Sequence, residues 1–465
     1  MSDRVQMTVS PVDGLLYCER PLASGAHVDT ALDLARAAQA EWRAVPLARR
    51  LELLSHMVDH FVAHGPEIAK EITWQMGRPI RYTGGEVRGF EDRARKMIAL
   101  APQALADIVP PEKPGFVRFI HREPLGVVLV LAPWNYPYLT AVNVVIPALA
   151  AGNAVLIKHS DQTPLCAERI VSAAAQAGLP PGICQYLHID HEQVAKVVAD
   201  PRVDFVAFTG SVEGGRAVHK AAAGHFKAVG LELGGKDPAY IRPDVDLEHA
   251  VENVIDGAFF NSGQSCCGVE RVYVHQELFQ RFVDASVALV EQYVLGDPTE
   301  AETTLGPVVR PRNAATIRAQ VDQALARGAK GLVDPARFPL ARPGSAYVAP
   351  QVLVGVDHDM ELMCEETFGP VVGIMPVASD EEAIRRMNDS RYGLTASIWT
   401  QDLDAALRIG DQLQTGTVFM NRADYLDPEL AWVGVKDSGR GCTLSVVGYE
   451  HLTRPKSFHF RTVTR

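Results

Sequence analysis

Residues 126–132 read Gly-Val-Val-Leu-Val-Leu-Ala, an unbroken apolar run that is followed at once by Pro-Trp-Asn at 133–135. A continuous apolar run of this length is typical of a strand that is buried on both faces of a parallel sheet. Open parallel sheets bind their ligands outside the carboxyl ends of their strands. The sequence therefore predicts a buried parallel strand at 126–132 and a ligand-facing position at Asn135.

Strands and helices alternate along the chain beyond this run. Further strands are predicted over 154–158, 185–188, 203–209 and 227–233, with helices over 141–150, 164–177, 192–199 and 215–223. A second alternating block starts after Gly235, and the helices predicted ahead of the run are 28–42, 46–64, 66–76 and 85–101. Regular strand–helix alternation implies a parallel sheet with crossover helices. We therefore expect an α/β fold with two parallel-sheet regions.

The length and composition exclude several classes of protein. The 465 residues are too many for one hydrophobic core, so two or three domains are expected. A net charge of −11 without a basic run makes nucleic acid and an anionic membrane poor partners. No apolar run of about 18 residues is present, as a membrane span would need, and the first residues lack the apolar core of a signal peptide. Seven cysteines, an odd number, do not make a disulfide framework, so we expect a cytoplasmic location.

A cysteine and a glutamate stand out in glycine-rich surroundings. Residues 259–271 read Phe-Phe-Asn-Ser-Gly-Gln-Ser-Cys-Cys-Gly-Val-Glu-Arg, which places Cys266 behind a Gly-Gln turn, and Glu232 lies within Leu-Glu-Leu-Gly-Gly-Lys at 231–236. A thiol nucleophile and a carboxylate base are the residue types that covalent chemistry on a carbonyl needs. A lone free cysteine is usually a buried, inert thiol, and a lone glutamate is usually a solvated surface group. The occurrence of both residues in such segments favours the functional interpretation.

Together the two segments resemble the cysteine and glutamate signatures of the aldehyde dehydrogenase superfamily, and the resemblance covers almost the whole chain. It implies an aldehyde dehydrogenase-like α/β fold with a Rossmann-type cofactor domain, a second α/β catalytic domain and a small β oligomerisation element. The ranges expected for the NAD(P)-binding domain are 1–107 and 127–234, with a return at 434–454. The catalytic domain is expected at 235–433, and the oligomerisation strands at 108–126 and 455–465.

The resemblance implies NAD(P)-dependent oxidation of an aldehyde to the free carboxylic acid. Cys266 would attack the aldehyde carbon, and the Asn135 side chain with the backbone N–H of Cys266 would hold the oxyanion. Hydride loss would leave a thioester, which Glu232 would help to hydrolyse as the general base. The family pattern puts the nucleophile two residues after Gln264, so Cys267 is interpreted as its neighbour. No metal is expected.

The resemblance also assigns cofactor-binding residues. They are Trp134, Lys158, Ser160, Asp161, Gly210, Ser211, Gly215, Leu233, Glu366 and Phe368. Lys158 corresponds to the lysine that holds the adenosine ribose, and Glu366 and Phe368 correspond to the pair that positions the nicotinamide riboside. Asp161 stands where many NAD-using members carry the longer Glu. A carboxylate there binds both ribose hydroxyls and repels a 2′-phosphate, so NAD is the expected cofactor. Because the shorter Asp161 leaves room for that phosphate, NADP stays open.

Aromatic and small polar side chains are expected to line the substrate pocket. The predicted residues are Tyr136, Thr140, Phe260, Tyr425 and Trp432, with Tyr138 as a further candidate. Succinate-semialdehyde enzymes of the family place arginines near the positions of Asn143 and Phe260, and those arginines are absent here. Arg422 is predicted to be the one nearby cation. An aromatic pocket favours an aliphatic or aromatic aldehyde, with a succinate-semialdehyde-like substrate as the alternative.

Rival functions would use parts of the same residue set. A CoA-acylating aldehyde dehydrogenase usually lacks the general base, so Glu232 argues against it. A cofactor-independent thiol esterase would leave Lys158 and Glu366 without a purpose, and a non-catalytic protein would not need the catalytic residues. Thr443 stands where the family has Glu, which puts the expected deacylation route in doubt. The expected partners are an aldehyde and further copies of the chain, as a homodimer or homotetramer.

Overall fold

The computed structural model describes residues 4–464. Residues 1–3 and 465, the outer ends of two predicted domain ranges, lie outside the described residues. The first part of the chain forms β1 (Val5–Val9), β2 (Leu16–Pro21), α1 (Gly25–Trp42), α2 (Leu47–Ala63), α3 (Gly65–Met76) and α4 (Ile80–Ala104). The four predicted helices are present, whereas the β1–β2 hairpin is missing from the sequence-based prediction.

The apolar run at 126–132 forms a strand, and the alternation predicted around it is present. The elements are β3 (Phe116–Pro124), β4 (Val127–Ala132), α5 (Pro137–Ala150), β5 (Ala154–His159), α6 (Pro164–Gln176), β6 (Cys184–Tyr186), α7 (His191–Ala199), β7 (Phe205–Thr209), α8 (Val212–Ala222) and β8 (Ala228–Glu232). All six residues of β4 are buried, as a continuous apolar run predicts. Prolines begin α5 and α6, where the missing N–H would have no partner in the helix.

The second half of the chain alternates in the same way. The elements are β9 (Asp237–Ile241), α9 (Leu247–Phe259), β10 (Val269–His275), α10 (Phe279–Val290), α11 (Pro311–Ala326), β11 (Lys330–Gly331), β12 (Gln351–Val354), α12 (Glu361–Cys364), β13 (Val371–Val377), α13 (Asp380–Asn388), β14 (Thr395–Trp399), α14 (Leu403–Gly410), β15 (Thr417–Met420), β16 (Gly439–Arg440), α15 (Ser445–Gly448) and β17 (Thr453–Arg461). Across residues 4–464, none of the helices combines the length and the apolarity that crossing a membrane requires.

Two open sheets organise the molecule. One has six strands in the order β16-β8-β7-β4-β5-β6, with an antiparallel β16–β8 pair and parallel pairs elsewhere. The other has seven strands in the order β11-β12-β13-β10-β9-β14-β15, with an antiparallel β11–β12 pair and parallel pairs elsewhere. The expected α/β class with two parallel-sheet regions is confirmed, and the domain boundaries stay a prediction.

Strands β3 and β17 form a separate antiparallel ribbon. The ladder runs from Pro124 opposite Thr453 to Phe116 opposite Arg461. The segments assigned to oligomerisation, 108–126 and 455–465, thus pair with each other within one chain. Their use in a contact between subunits stays a prediction.

A fully buried ion pair ties α4 to the start of α5. Arg78 donates to the Glu86 carboxylate, and the two side chains are 2% and 0% exposed. The other oxygen of Glu86 accepts from the backbone N–H groups of Tyr138 and Leu139, each at 2.9 Å. Because the first turn of a helix has unpaired N–H groups, a carboxylate there is favourable.

We expect Arg78→Met to destabilise the fold strongly. The variant leaves Glu86 as a buried charge without a counter-ion, and removing one partner of a buried pair costs about 3–5 kcal/mol. Arg49→Met is the matched control, because Arg49 and its partner Glu52 are each 53% exposed. Surface pairs of that kind contribute about 0–1 kcal/mol. Urea and thermal unfolding followed by circular dichroism compare the variants, and equal losses of stability would contradict the assignment.

Candidate active site

One cavity lies between the carboxyl ends of β4 and β8 and the loop that follows α9. Its volume is about 370 Å³, a size that suits a small-molecule site. Cys266 and Glu232 both line it. The five residues predicted for the substrate pocket line it as well: Tyr136, Thr140, Phe260, Tyr425 and Trp432. The fold thus gathers these sequence-distant residues around one space.

The cysteine loop has a tightly turned backbone. Asn261, Ser262 and Gly263 have φ angles of 54°, 55° and 71°, so three successive residues adopt the left-handed region. A Cβ atom on Gly263 would collide with the backbone of the facing loop, which is why glycine is needed there. The Gln264 side chain donates back to the Asn261 carbonyl at 3.1 Å. These features fix the backbone conformation of the loop up to Gln264, two residues before Cys266.

The two adjacent cysteines have different environments. Cys266 is half-buried, whereas Cys267 is 3% exposed. The Cys267 thiol donates to the Asp424 carboxylate at 2.8 Å. The hydrogen bond with Cys266, burial and the Asp424 charge raise the pKa of the Cys267 thiol well above its ordinary value. Cys267 therefore stays protonated near neutral pH, and Cys266 is the better placed of the two to act as a nucleophile.

Glu232 is the last residue of β8 and accepts a hydrogen bond on each carboxylate oxygen. Thr443 donates to Oε1 at 2.6 Å, and Thr209 donates to Oε2 at 3.0 Å. Burial raises the pKa of the Glu232 carboxyl, and the two hydroxyl bonds oppose that rise. The residue that departs from the family pattern, Thr443, is thus in direct contact with the candidate base.

Asn135 lies against the cysteine loop. Its side chain is buried, and Nδ2 donates to the Gln264 carbonyl at 3.2 Å. Its own backbone carbonyl accepts from Arg78 and from Asn261. The amide is therefore held close to the backbone that leads to Cys266, and its role as an oxyanion donor stays a prediction.

The loop between β7 and α8 offers an anion site. Ser211 caps α8, and its hydroxyl accepts a backbone N–H of the first turn at 3.2 Å. A Cβ atom on Gly210 would press on the Phe208 ring, and one on Gly215 would press on the Leu233 side chain. Glycine at these positions lets the loop and helix lie close to β8. Because the N–H groups of a helix N-terminus favour negative charge, this loop can take a phosphate.

The residues expected to hold the nicotinamide riboside lie near one another. Glu366 accepts from the Gly235 N–H at 3.1 Å, and burial raises the pKa of its carboxyl to about 8. The rings of Trp134 and Phe368 meet edge to face with centroids 5.6 Å apart. A protonated carboxyl both donates and accepts, which suits a sugar hydroxyl.

The residues expected to hold the adenosine ribose lie at the end of β5. Lys158 is buried there, and burial lowers its pKa. Ser160 and Asp161 follow the strand. Asp161 pairs with Arg310 at 2.9 Å, and the same guanidinium donates to Gln162 at 2.9 Å. The sequence gives no signal for Arg310, which partly neutralises the carboxylate that would repel a 2′-phosphate.

Charged residues that sequence reasoning misses also line the cavity: Arg78, Glu86, Asp92, Arg93, Asp256 and Asp424. Arg93 is buried and donates to the Asn143 side chain at 3.3 Å. The prediction that Arg422 is the one nearby cation is wrong, because Arg78 and Arg93 line the cavity. Arg422 does not line it; it is exposed and stacks on the Tyr425 ring at 3.8 Å. Helical spacing is the sequence signal that could identify two of the missed charged residues, because Glu86 and Arg93 lie seven positions apart on one face of α4.

Tyr138 lies in the hydrophobic core and does not line the cavity. It is fully buried, and its ring packs against Phe61 and Phe90 with centroids 5.0 Å and 6.3 Å away. The prediction for Tyr138 is therefore wrong. Residues four apart share a helix face, so Tyr136 and Thr140 line the cavity while the residue midway between them faces the core.

An α/β fold with a half-buried thiol and a half-buried carboxylate on one cavity is typical of an enzyme that works through a covalent thiol intermediate. Residues 2–458 match the aldehyde dehydrogenase family, and the chain belongs to that family. A phenylacetaldehyde dehydrogenase of Pseudomonas fluorescens is 34% identical, over 98% of this chain and 92% of that protein. Succinate-semialdehyde dehydrogenase [NADP(+)] 1 of Mycobacterium tuberculosis (strain ATCC 25618 / H37Rv) is also 34% identical, over 97% and 98%.

A solved structure shares the fold. The NADP-dependent glyceraldehyde-3-phosphate dehydrogenase from Bacillus halodurans C-125, complexed with NADP, superposes with a TM-score of 0.93 at 32% identity. The match covers 99% of this chain and 96% of that chain. The expected aldehyde dehydrogenase-like fold is confirmed.

Proposed function

We propose that the protein is an NAD(P)-dependent aldehyde dehydrogenase that releases the free carboxylic acid. The observation that carries the proposal is the shared cavity, since Cys266 and Glu232 line the same space of about 370 Å³. A nucleophile and a base that face one space can act in turn on one bound carbonyl. Membership of the aldehyde dehydrogenase family supports the same reaction class.

Each residue of the site has a defined task in this reaction. The Cys266 thiolate adds to the aldehyde carbon, and the Asn135 amide with the Cys266 backbone N–H holds the oxygen that gains charge. NAD(P), when bound, would accept the hydride. The acyl group would then remain bonded to the Cys266 sulfur. Glu232 removes a proton from the water molecule that attacks the thioester. Hydrogen bonds from Thr443 and Thr209 orient both carboxylate oxygens of this base.

The cofactor is proposed to lie across the carboxyl ends of the strands in the six-stranded sheet. The pyrophosphate would be held by Gly210, Ser211 and Gly215 at the start of α8. The adenosine ribose would be held by Lys158, Ser160 and Asp161. The nicotinamide half would be held by Trp134, Leu233, Glu366 and Phe368. Because Arg310 offsets the charge of Asp161, we propose that the site accepts NADP as well as NAD.

The cavity favours an uncharged aldehyde with an aromatic or aliphatic group. Its aromatic lining is formed by Tyr82, Tyr136, Phe260, Tyr425 and Trp432. Asp92 and Asp256 also line it and are exposed to solvent. Two such carboxylates oppose the entry of a carboxylated aldehyde by like-charge repulsion. The similarity to a phenylacetaldehyde dehydrogenase supports the same class of substrate.

A succinate-semialdehyde-like substrate is the second candidate, and Arg93 is the observation that favours it. Its guanidinium lines the cavity, and arginine is well suited to a bidentate contact with a carboxylate. However, Arg93 already donates to the Leu139 carbonyl and to Asn143. We therefore rank the uncharged aldehydes first. Glu232 on the same cavity also argues against a CoA-acylating reaction.

Reduction of NAD and NADP across an aldehyde panel tests the proposed function. We expect kcat/KM for phenylacetaldehyde to exceed that for succinic semialdehyde by about tenfold to a hundredfold, the range that pocket complementarity provides. Coenzyme A should not accelerate turnover. The reverse ranking, with succinic semialdehyde turnover lost selectively in Arg93→Lys, would establish the second candidate instead. Failure to reduce either cofactor with any aldehyde would contradict the dehydrogenase assignment.

We propose that the protein is a cytoplasmic homodimer or homotetramer. Two exposed apolar side chains on the β3–β17 ribbon, Val117 and Phe460, support a subunit contact there. All seven cysteines are free thiols, which supports a reducing compartment. The net charge of −11 argues against nucleic acid and an anionic membrane as partners.

A further inference from the structure

Hydrolysis of the acyl group loads Glu232 with a proton that must leave before the next cycle. Glu232 is half-buried, and burial raises the pKa of its carboxyl, so the proton has to pass to a group in contact with the carboxyl. Thr443 and Thr209 are its hydrogen-bonding neighbours. A route for the proton therefore has to begin at one of these two hydroxyls or in the substrate cavity.

A second, smaller cavity lies behind Glu232. Its volume is about 20 Å³, enough for a single water molecule. Glu232 and Thr209 line both this cavity and the substrate cavity, so the Glu232 carboxyl lies between the two spaces. Thr443 lines the smaller one and donates to Glu232 at 2.6 Å. Threonine is shorter than the family's Glu at this position, which leaves room for this space.

His451 connects the smaller cavity to solvent. Its side chain lines the cavity, yet the residue is exposed. A Cβ atom on Gly441 would lie 3.9 Å from Nδ1 of His451, so the glycine backbone lies directly beside the ring. The wall also carries Arg440 and Cys442. Arginine is already fully protonated, and burial raises the pKa of Cys442 to about 11. The His451 imidazole has two ring nitrogens, so it can accept a proton on one and release a proton from the other.

We propose that Thr443, one water molecule in the smaller cavity and His451 form the exit route for the proton that Glu232 takes up during hydrolysis. The proposal rests on the proposed role of Glu232 as the base. The oxygen of the attacking water bonds to the acyl carbon, one of its protons goes to Glu232, and the other leaves with the carboxylic acid product. The carbon–sulfur bond breaks, and Cys266 keeps the electron pair as a thiolate.

The proton then moves outward by exchange along the route. Glu232 passes its proton to the Thr443 oxygen while the Thr443 hydroxyl passes its own to the water molecule. The water passes a proton to His451, which releases it to solvent. Nothing is oxidised or reduced in these steps, and each group returns to its starting protonation state.

His451→Gln tests the route in single-turnover, stopped-flow experiments at low buffer concentration. NAD(P)H absorbance reports acylation, and a pH-indicator dye reports proton release. We expect an unchanged NAD(P)H burst and a proton-release phase that is slower by about fivefold to tenfold, since general acid–base groups contribute at least this much. Added imidazole should restore the rate. His27→Gln is the matched control, because His27 is exposed on α1.

A second pair of variants tests the first step of the route. Thr443→Ser keeps the hydroxyl and should release protons as the wild type does, whereas Thr443→Val should be slow and should not respond to imidazole. Proton release in His451→Gln at the wild-type rate would overturn the route, provided that the NAD(P)H burst is present. Absence of the burst in the wild type would instead overturn the proposed function.

Discussion

Alanine in place of Cys266 is expected to abolish aldehyde-dependent reduction of NAD(P). Cys266 is the half-buried thiol on the 370 Å³ cavity, and its loss removes the atom that we propose forms the covalent intermediate. Removal of a nucleophile from a covalent catalytic unit lowers kcat by about 10⁴-fold to 10⁶-fold. The measurement is kcat/KM for the best aldehyde of the panel, together with mass spectrometry of the protein after one turnover. The variant should show no acyl adduct.

Cys267→Ala is the matched comparison, because it removes the neighbouring thiol instead. Cys267 is a buried, protonated thiol bonded to the Asp424 carboxylate, so its removal should lower kcat/KM by no more than about a hundredfold, the upper range for a hydrogen bond to a charged group. If Cys267→Ala loses all activity and Cys266→Ala keeps it, the two assignments are reversed. A large loss in both variants would point to a shared structural requirement of the loop.

Glu232→Gln is expected to separate the two halves of the reaction. Glutamine keeps the shape, and its carbonyl oxygen can accept from one of the two threonine hydroxyls while its NH2 group donates to the other. It cannot take a proton from water. The first NAD(P)H should form in a burst at close to the wild-type rate, and steady-state turnover should fall by about 10²-fold to 10⁴-fold, the usual contribution of a general base. Rapid-mixing absorbance measures both phases. Acyl-enzyme should accumulate and be visible by mass spectrometry.

The reference for this experiment is Glu270→Gln, a second buried carboxylate on the catalytic side of the fold. Glu270 accepts from Lys236 and from the N–H groups of Thr367 and Phe368, and it does not line the substrate cavity. Its replacement should therefore affect stability and cofactor affinity without an accumulation of acyl-enzyme. A Glu232→Gln protein with wild-type steady-state turnover would remove Glu232 from the mechanism.

The sequence predicts the elements whose local pattern agrees with their final environment. The apolar run at 126–132 becomes β4 because every residue in it is buried. Strand β9 is missed, since Pro238 lies within it and proline argues against a central strand. Here β9 lies between β10 and β14 and is buried throughout. Strands β10 and β14 pair with β9 on its two sides, and the sequence of β9 itself does not show that it has these partners.

The residues of the candidate site likewise fall into those that the sequence predicts and those that only the folded structure brings together. Cys266, Glu232 and the aromatic pocket residues lie in recognisable segments, so they can be predicted from the chain alone. Arg93 cannot, because it looks like one more charge on an amphipathic helix until α4 packs on α5. The contact between Thr443 and Glu232 spans 211 positions. It is created by the antiparallel pairing of β16 with β8 and has no local signature.

Strands β16 and β17, near the carboxyl terminus, pair with strands from the first half of the chain. Strand β17 completes the ribbon with β3, and β16 completes the edge of the six-stranded sheet beside β8. Synthesis proceeds from the amino terminus, so β8 must wait until Arg440, and β3 until Arg461, has left the ribosome. Throughout translation of the second half, β8 is an open sheet edge, the kind of surface that recruits other strands. A product truncated before Gly439 would keep that edge permanently and would be prone to aggregate.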